Sequence, residues 1–260
     1  MLPDTGPIHL VLVGVGGTGS HLAPSLARLA VHARQRSIAV NLTLVDPDIV
    51  DNAIIGRQNY CFAELSYNKA ETMAFRLNAA FGLAIQAVPA PFHTDMAPAG
   101  ASGRALLIGA VDNEGARREM ARAVESTRGR CWWLDSGNEE FSGQCLIGNL
   151  PEGAPVKLSP LRLASGLPAP HVQEPALLEP DPAETDLSCA EIVLREEQSL
   201  MTNQAAAAVA AQYAYQFVMR RQLTTFDTRF NLAPFVVTSK TITRSNLRPY
   251  LATDGQTRGA

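Results

Sequence analysis

The first apolar run of the chain, Ile8 to Val13, is nearly continuous rather than alternating, which predicts a strand buried on both faces. It stops at Gly14-Val15-Gly16-Gly17-Thr18-Gly19, and an Ala- and Leu-rich stretch from Ser20 to about Val31 then reads as a helix. A second strand is predicted at Val40 to Val45, closed by Asp46; an irregular segment, Pro47 to Tyr67, leads into a helix from Asn68 to Phe81. Ala84–Val88, Ala105–Val111 and Cys131–Leu134 are three further candidate strands, and Asn113 to Ser126 is a helix with Arg and Glu on its outer face. Strands alternating with helices imply an α/β fold: a doubly wound, mostly parallel sheet with helices on both faces.

The pattern changes after Leu150. Eight prolines fall between Pro151 and Pro182, and acidic residues gather towards Asp186, which marks a long loop rather than a packed element. An Ala-rich helix centred on Gln204 to Arg221 follows, and Phe230 to Thr243 reads as a last strand or pair of strands. The resulting division is a core over 1–150, a Pro-rich loop over 151–187, a helix and strand extension over 188–251 that completes the same domain, and a disordered tail over 252–260.

Composition narrows the function. In 260 residues, 46% are hydrophobic and 18% charged, with a net charge of −3 and no dense Lys/Arg run, so neither nucleic acid nor an anionic membrane is an expected partner. No segment reads as a secretory signal or a bilayer span. The four cysteines, Cys61, Cys131, Cys145 and Cys189, form no C-x-x-C pair, so no structural zinc is expected. Largely inert thiols fit a reducing cytoplasmic compartment.

Strand, glycine turn and helix together are the opening unit of a Rossmann-like nucleotide-binding fold. Gly14, Gly16, Gly17 and Gly19 let backbone N–H groups approach an anion, and the helix N-terminus adds positive potential. Asp46, at the end of the second strand, stands where a carboxylate accepts hydrogen bonds from ribose, although a turn or cap role suits it equally. Up to this point an NAD-dependent oxidoreductase fits as well as an ATP-using enzyme.

The segment after Asp46 separates these readings. Asp46-Pro-Asp48-Ile-Val50-Asp-Asn52-Ala-Ile54-Ile-Gly-Arg57-Gln58 resembles the signature D-x-D-x-V-x-x-S-N-L-x-R-Q of the ThiF/MoeB/HesA family, the ubiquitin-activating-enzyme-like adenylyltransferases. It departs at Ile54, where the family has Asn; Asn52 is the candidate substitute. Lys69 matches the lysine that opens the family's next helix, and Arg76-Leu77-Asn78 resembles the stretch near that helix's end. Asp112-Asn113 with Arg117 is similar to D-N-x-x-x-R, and Leu134-Asp135-Ser136-Gly137 through Gly143-Gln144 to the D-[SG]-G…G-Q block. Ser188-Cys189-Ala190-Glu191, with Gln198-Ser199 and Asn203, resembles the start of the family's C-terminal helical region. More narrowly, the compact form without zinc cysteines resembles the branch of the family found in the plasmid-borne PRTRC gene set.

The resemblance implies ATP and Mg²⁺ as cofactors and adenylation of the C-terminal carboxylate of a small ubiquitin-like or sulfur-carrier-like protein with a glycine tail. Asp46, Asp48, Gln58 and Asn113 are implied in nucleotide binding. Arg57 and Lys69 suit the phosphates, Arg through bidentate oxygen contacts and Lys as a compact charge. Asp112 is the candidate magnesium ligand. Each has a plainer reading: Arg57 in a surface ion pair, Lys69 as an exposed helix residue, Asp112 with Asn113 as a helix cap. Cys189 is the first candidate for taking over the activated acyl group and Cys61 the second, with Cys131 and Cys145 core residues; for Cys189 a buried structural role stays open. The family implies a homodimer, yet residues 1–7 hold no arginine of the kind with which relatives reach a neighbouring subunit's ATP. The Pro-rich loop stands where relatives carry a crossover loop over the partner's tail. The alternatives are an NAD-dependent oxidoreductase, a non-catalytic scaffold for a nucleotide or ubiquitin-like protein, and adenylation of a small molecule, peptide or tRNA.

Overall fold

The computed structural model describes residues 6–98, 104–159, 164–180 and 200–251. Its frame is one eight-stranded sheet in the order β3-β2-β1-β4-β5-β6-β7-β8. The strands are β1 (Ile8–Val13), β2 (Val40–Val45), β3 (Gln86–Val88), β4 (Ala105–Gly109), β5 (Cys131–Asn138), β6 (Ser142–Gly148), β7 (Thr225–Leu232) and β8 (Phe235–Thr241). The first five are mutually parallel, and β6, β7 and β8 extend the sheet antiparallel from β5. The helices are α1 (Gly17–Arg34), α2 (Lys69–Phe81), α3 (Glu114–Ser126), the single turn α4 (Pro170–Gln173), α5 (Leu200–Tyr215) and the short α6 (Arg244–Leu247).

Alternate residues of the buried strands feed two apolar layers. Leu10, Leu12, Leu106, Ile108, Leu134 and Ile147 pack under α1, α2 and α5, which contribute Leu22, Leu26, Met73, Leu77, Ala210 and Tyr213. Val11, Val13, Leu107, Cys131 and Trp133 face the other way, against Met120 and Val124 of α3. Strands buried on both faces explain why β1 and β4 read as continuous apolar runs. The alanines of α5 let it lie closely along α1.

Asn68 and Asn113 cap their helices, accepting from Glu71 N at 3.0 Å and Ala116 N at 2.8 Å, so α2 and α3 begin one residue later than the pattern indicates. β5 continues to Asn138 because β6 pairs with it over the additional length. The last two strands form a hairpin that begins at Thr225, and α5 ends at Tyr215 in a single π turn, Gln216–Arg220.

The reading of 151–187 as an unpacked loop is corrected for its described part. Leu167, Ala169 and Leu177 are buried, and Asn149 accepts a hydrogen bond from Leu167 N at 3.0 Å, which ties the segment to the far end of β6. Its apolar residues outweigh its prolines, since proline also fits short turns such as α4, where it occupies the first helical position. Residues 181–199, with Cys189, and the tail 252–260 lie outside the described residues.

Candidate functional site

The chain leaves β1 towards β2 and β3 and returns on the other side of β1 as β4, so the strand order reverses between β1 and β4. A crevice opens beyond the strand ends at such a reversal. Val13 pairs with both Val45 and Gly109, so the residues that follow the three strands leave the sheet at one level. Gly14, Asp46 and Asp112 therefore arrive together at the rim of a cleft of about 1400 Å³.

The glycine turn is built by tight clearances. Gly14 has φ +86°, and a Cβ there would meet Ala110 O at 2.5 Å. A Cβ on Gly19 would lie 1.9 Å from Gly14 O, so Gly19 serves the close packing of α1 on the turn and does not line the cleft. Gly14, Gly16 and Gly17 do line it. No side chain caps α1, whose first backbone hydrogen bond runs from Ser20 N to Gly16 O at 2.9 Å. The N–H groups of Gly17, Thr18 and Gly19 thus lie at an open helix N-terminus, a natural seat for an anion.

Asp46 is 4% exposed, and both its oxygens are engaged by the backbone: Val15 N donates to Oδ2 at 2.5 Å and Asp48 N to Oδ1 at 2.9 Å. Burial raises its pKa, and these two N–H donors pull the other way. It therefore braces the glycine turn, with only its remaining lone pairs open to a ribose.

Arg57, Gln58, Lys69, Asp48, Asp112 and Asn113 all line the cleft. Arg57 and Gln58 owe their place to a proline. Pro24, inside α1, has no N–H for the Ser20 carbonyl one turn earlier. Asn59 fills the vacancy: its Nδ2 donates to Ser20 O at 3.1 Å and its backbone N–H to Ser20 Oγ at 3.0 Å. Tyr60, 6% exposed, adds a hydroxyl placed between Val15 O (2.8 Å) and Lys69 O (3.2 Å). The segment carrying Arg57 is in this way clamped to the turn. Lys69 is buried rather than exposed; its Nζ donates to Asp48 Oδ2 at 3.0 Å, and Asp48 itself is largely exposed. Asp112 is exposed at the end of β4, whereas the side-chain oxygen of Asn113 is occupied by the α3 cap. Ile54 lines the cleft; Asn52 faces solvent away from it and so does not stand in for the missing asparagine. None of the described residues between 151 and 180 lines the cleft.

Three arrangements at the site come from the tertiary fold. Arg117 donates from Nε to Asp135 Oδ1 at 3.3 Å and from Nη2 to Val111 O at 2.8 Å, so a wholly buried carboxylate anchors the cation that fixes the backbone just before Asp112. Burial raises the pKa of Asp135, and Arg117 opposes the shift. Thr18, Asn138 and Asn203 form a polar cluster over the glycine turn. Arg229, from the antiparallel extension, closes the far wall between Asp227 and Glu174. Cys131 and Cys145 are core thiols, both pushed up to about 12 by burial, while Cys61 is exposed.

The sequence profile of the ThiF family matches residues 6–250, nearly the whole chain. The chain belongs to the ThiF family. Solved structures share this ThiF-family fold. E. coli MccB alone is 15% identical, with a TM-score of 0.59 over 97% of this chain and 66% of MccB. MccB with ATP is 15% identical, with a TM-score of 0.57 over 90% of this chain and 64% of that one. PaaA is 14% identical, with a TM-score of 0.58 over 90% and 64%. The ThiF-family chain thus spans about two thirds of the length of these neighbours. No curated protein matches it in sequence. Among the described residues no helix is long and apolar enough to cross a membrane.

Proposed function

We propose that this ThiF-family chain is an ATP-dependent adenylyltransferase that activates the C-terminal carboxylate of a peptide or small protein, of ubiquitin-like or sulfur-carrier-like type, with release of pyrophosphate. The observation that carries the reading is that Arg57, Lys69 and Asp112 border the same cleft as the uncapped end of α1. A dehydrogenase needs no such pair of cations. MccB, whose fold it shares, has been solved with ATP and with AMPCPP and MccA, which favours ATP and a peptide-like acceptor here.

In the proposed reaction an oxygen of the acceptor carboxylate attacks the α-phosphorus. The bond from that phosphorus to the bridging oxygen breaks, and pyrophosphate leaves with the electron pair. Both reactants are anions, so catalysis rests on holding them together and offsetting their charge. The N–H groups at the start of α1 and the Arg57 guanidinium suit phosphate oxygens. Lys69 keeps donors beyond the one directed at Asp48. The chemistry of Asp112 fits Mg²⁺, which takes one or two carboxylates and completes its shell with phosphate and water oxygens. Among the described residues no group of three His, Cys, Asp or Glu side chains is arranged to hold a metal, so a site that waits for the nucleotide fits better than a preformed one. Mg²⁺ bound there would neutralise charge on the departing pyrophosphate.

A second step, in which the thiolate of Cys189 displaces AMP to form a thioester, and assembly into a homodimer complete the proposal. Ile49, Phe62, Tyr67 and Phe75 are large exposed apolar side chains on and beside the segment that carries Arg57, and a second copy would shelter them. ATP–pyrophosphate exchange with candidate acceptors tests the activity, and mass spectrometry tests the adenylate and thioester. Arg57→Ala, Lys69→Ala and Asp112→Ala should each lower exchange roughly 100-fold or more, the scale of a lost charge-stabilising group. Exchange that survives all three, or acceptor-independent reduction of NAD, would end the proposal.

A further inference from the structure

Asn203 comes from α5, far along the chain from the glycine turn, yet its carboxamide lies directly against Gly17. A Cβ built on Gly17 would be 2.8 Å from Asn203 Oδ1 and 2.9 Å from Nδ2. The residue is 2% exposed and lines the cleft. Its oxygen is satisfied from within the protein: Asn138 Nδ2 donates to it at 3.1 Å, and Thr18 Oγ1 lies at 3.1 Å. Thr18 Oγ1 also lies 3.0 Å from Asn138 Oδ1, which links the three side chains into one cluster. The NH₂ group of Asn203 has no acceptor among the described residues. A carboxamide held through its oxygen on the wall of the cleft, with its NH₂ donors unused by the protein, can give them to a ligand acceptor there. Beside it stand the open N–H groups of Gly17 and Thr18 at the head of the 18-residue α1.

We propose that the Asn203 carboxamide is a phosphate-orienting donor, which joins the N-terminus of α1 in gripping an anionic phosphate oxygen of the nucleotide. The inference rests on the nucleotide reading of the cleft and deepens it. It adds a phosphate contact from the C-terminal extension to a set of phosphate-binding groups otherwise drawn from the first half of the chain. The Asn138 and Thr18 contacts fix the amide plane before any ligand arrives, so little ordering is left to the moment of binding. Docking of α5 and completion of the phosphate site become one event, because the same amide does both.

The test compares binding of Mg·ATP and of adenosine, which has no phosphate, to the full chain by calorimetry. Asn203→Asp keeps the shape and both internal acceptor contacts but replaces the NH₂ donors with a carboxylate oxygen. It should weaken Mg·ATP at least tenfold, the scale of one hydrogen bond to a charged oxygen, and leave adenosine within about twofold. Asn203→Ala, which introduces no charge, should follow in the same direction by a smaller factor. Equal losses for ATP and adenosine would reduce Asn203 to a packing residue, and no loss for either would remove it from the site; both results overturn the proposal. A wild-type chain that binds neither probe overturns the nucleotide reading itself, and this inference with it.

Discussion

Arg117→Met isolates the buried ion pair beneath the cleft. Asp135 is 0% exposed and its Oδ2 has no hydrogen-bond partner among the described residues, while the Arg117 side chain, 13% exposed, supplies the 3.3 Å contact to Oδ1. Removing one member of such a pair leaves an uncompensated buried charge, at a cost of about 3–5 kcal/mol. At roughly 2–4 °C per kcal/mol for chains near this size, the melting temperature should fall by roughly 6–20 °C. Replacing both partners, as Arg117→Met with Asp135→Leu, should recover most of the loss, since an apolar pair of similar volume needs no desolvation of charge. Burial already raises the Asp135 pKa in the folded state, and loss of Arg117 raises it further. The folded form then takes up a proton at a higher pH than the unfolded form, whose pKa is about 3.9. Folded-state stability therefore gains as the pH falls towards that value, so the gap between Arg117→Met and wild type should be widest at neutral pH and narrow on acidification. Thermal melts of the single, double and wild-type chains between pH 4 and pH 8 read all of this. A double variant as unstable as Arg117→Met, or a gap that ignores pH, would refute the reasoning.

Three shorter predictions follow from the same packing. Gly17→Ala should be destabilising because its Cβ would lie 2.8 Å from Asn203 Oδ1 and 2.9 Å from Nδ2; combining it with Asn203→Ala should cost less than the two single losses added together, as chemical denaturation can measure. His171 is buried against Trp133 (ring centroids 5.8 Å apart); neither ring nitrogen is hydrogen-bonded among the described residues, Nε2 lies 3.7 Å from Glu125 Oε1, and burial lowers its pKa in spite of Glu125 and Glu152. Its neutral form supports the fold, so that contribution should fade as the pH drops below about 6.5, and His171→Phe should lose less stability than wild type over that window. Among the described cysteines only Cys61 should react with a maleimide at pH 8, while Cys131 and Cys145 label only after unfolding; peptide mapping that finds either one modified in the native chain contradicts the core assignment.

The sequence by itself determined whatever depends on neighbours a few positions apart. The two-faced burial of β1 and β4 is written as nearly continuous apolar runs, the N-termini of α2 and α3 as asparagines in capping position, and the anion-ready turn as closely spaced glycines. The cations that border the cleft were legible because the signature residues from Asp46 to Gln58, and then Lys69, stand in register with a family pattern. Tertiary structure alone decided the rest. The length of β5 beyond Leu134 is set by its pairing with β6, not by its own apolar run. Asp46 is readable in the sequence as a ribose ligand, and the fold adds a second role by bringing Val15 N and Asp48 N to its two oxygens. Gly17 looks like a phosphate glycine, yet the amide that requires its bare Cα arrives from α5, and Thr18 reaches Asn203 across a separation of 185 residues. Periodicity and capping are short-range effects that a chain carries wherever it goes. A hydrogen bond between residues so far apart exists only after the sheet has closed and the helices have packed, so its energy belongs to the fold and leaves no local mark in the sequence.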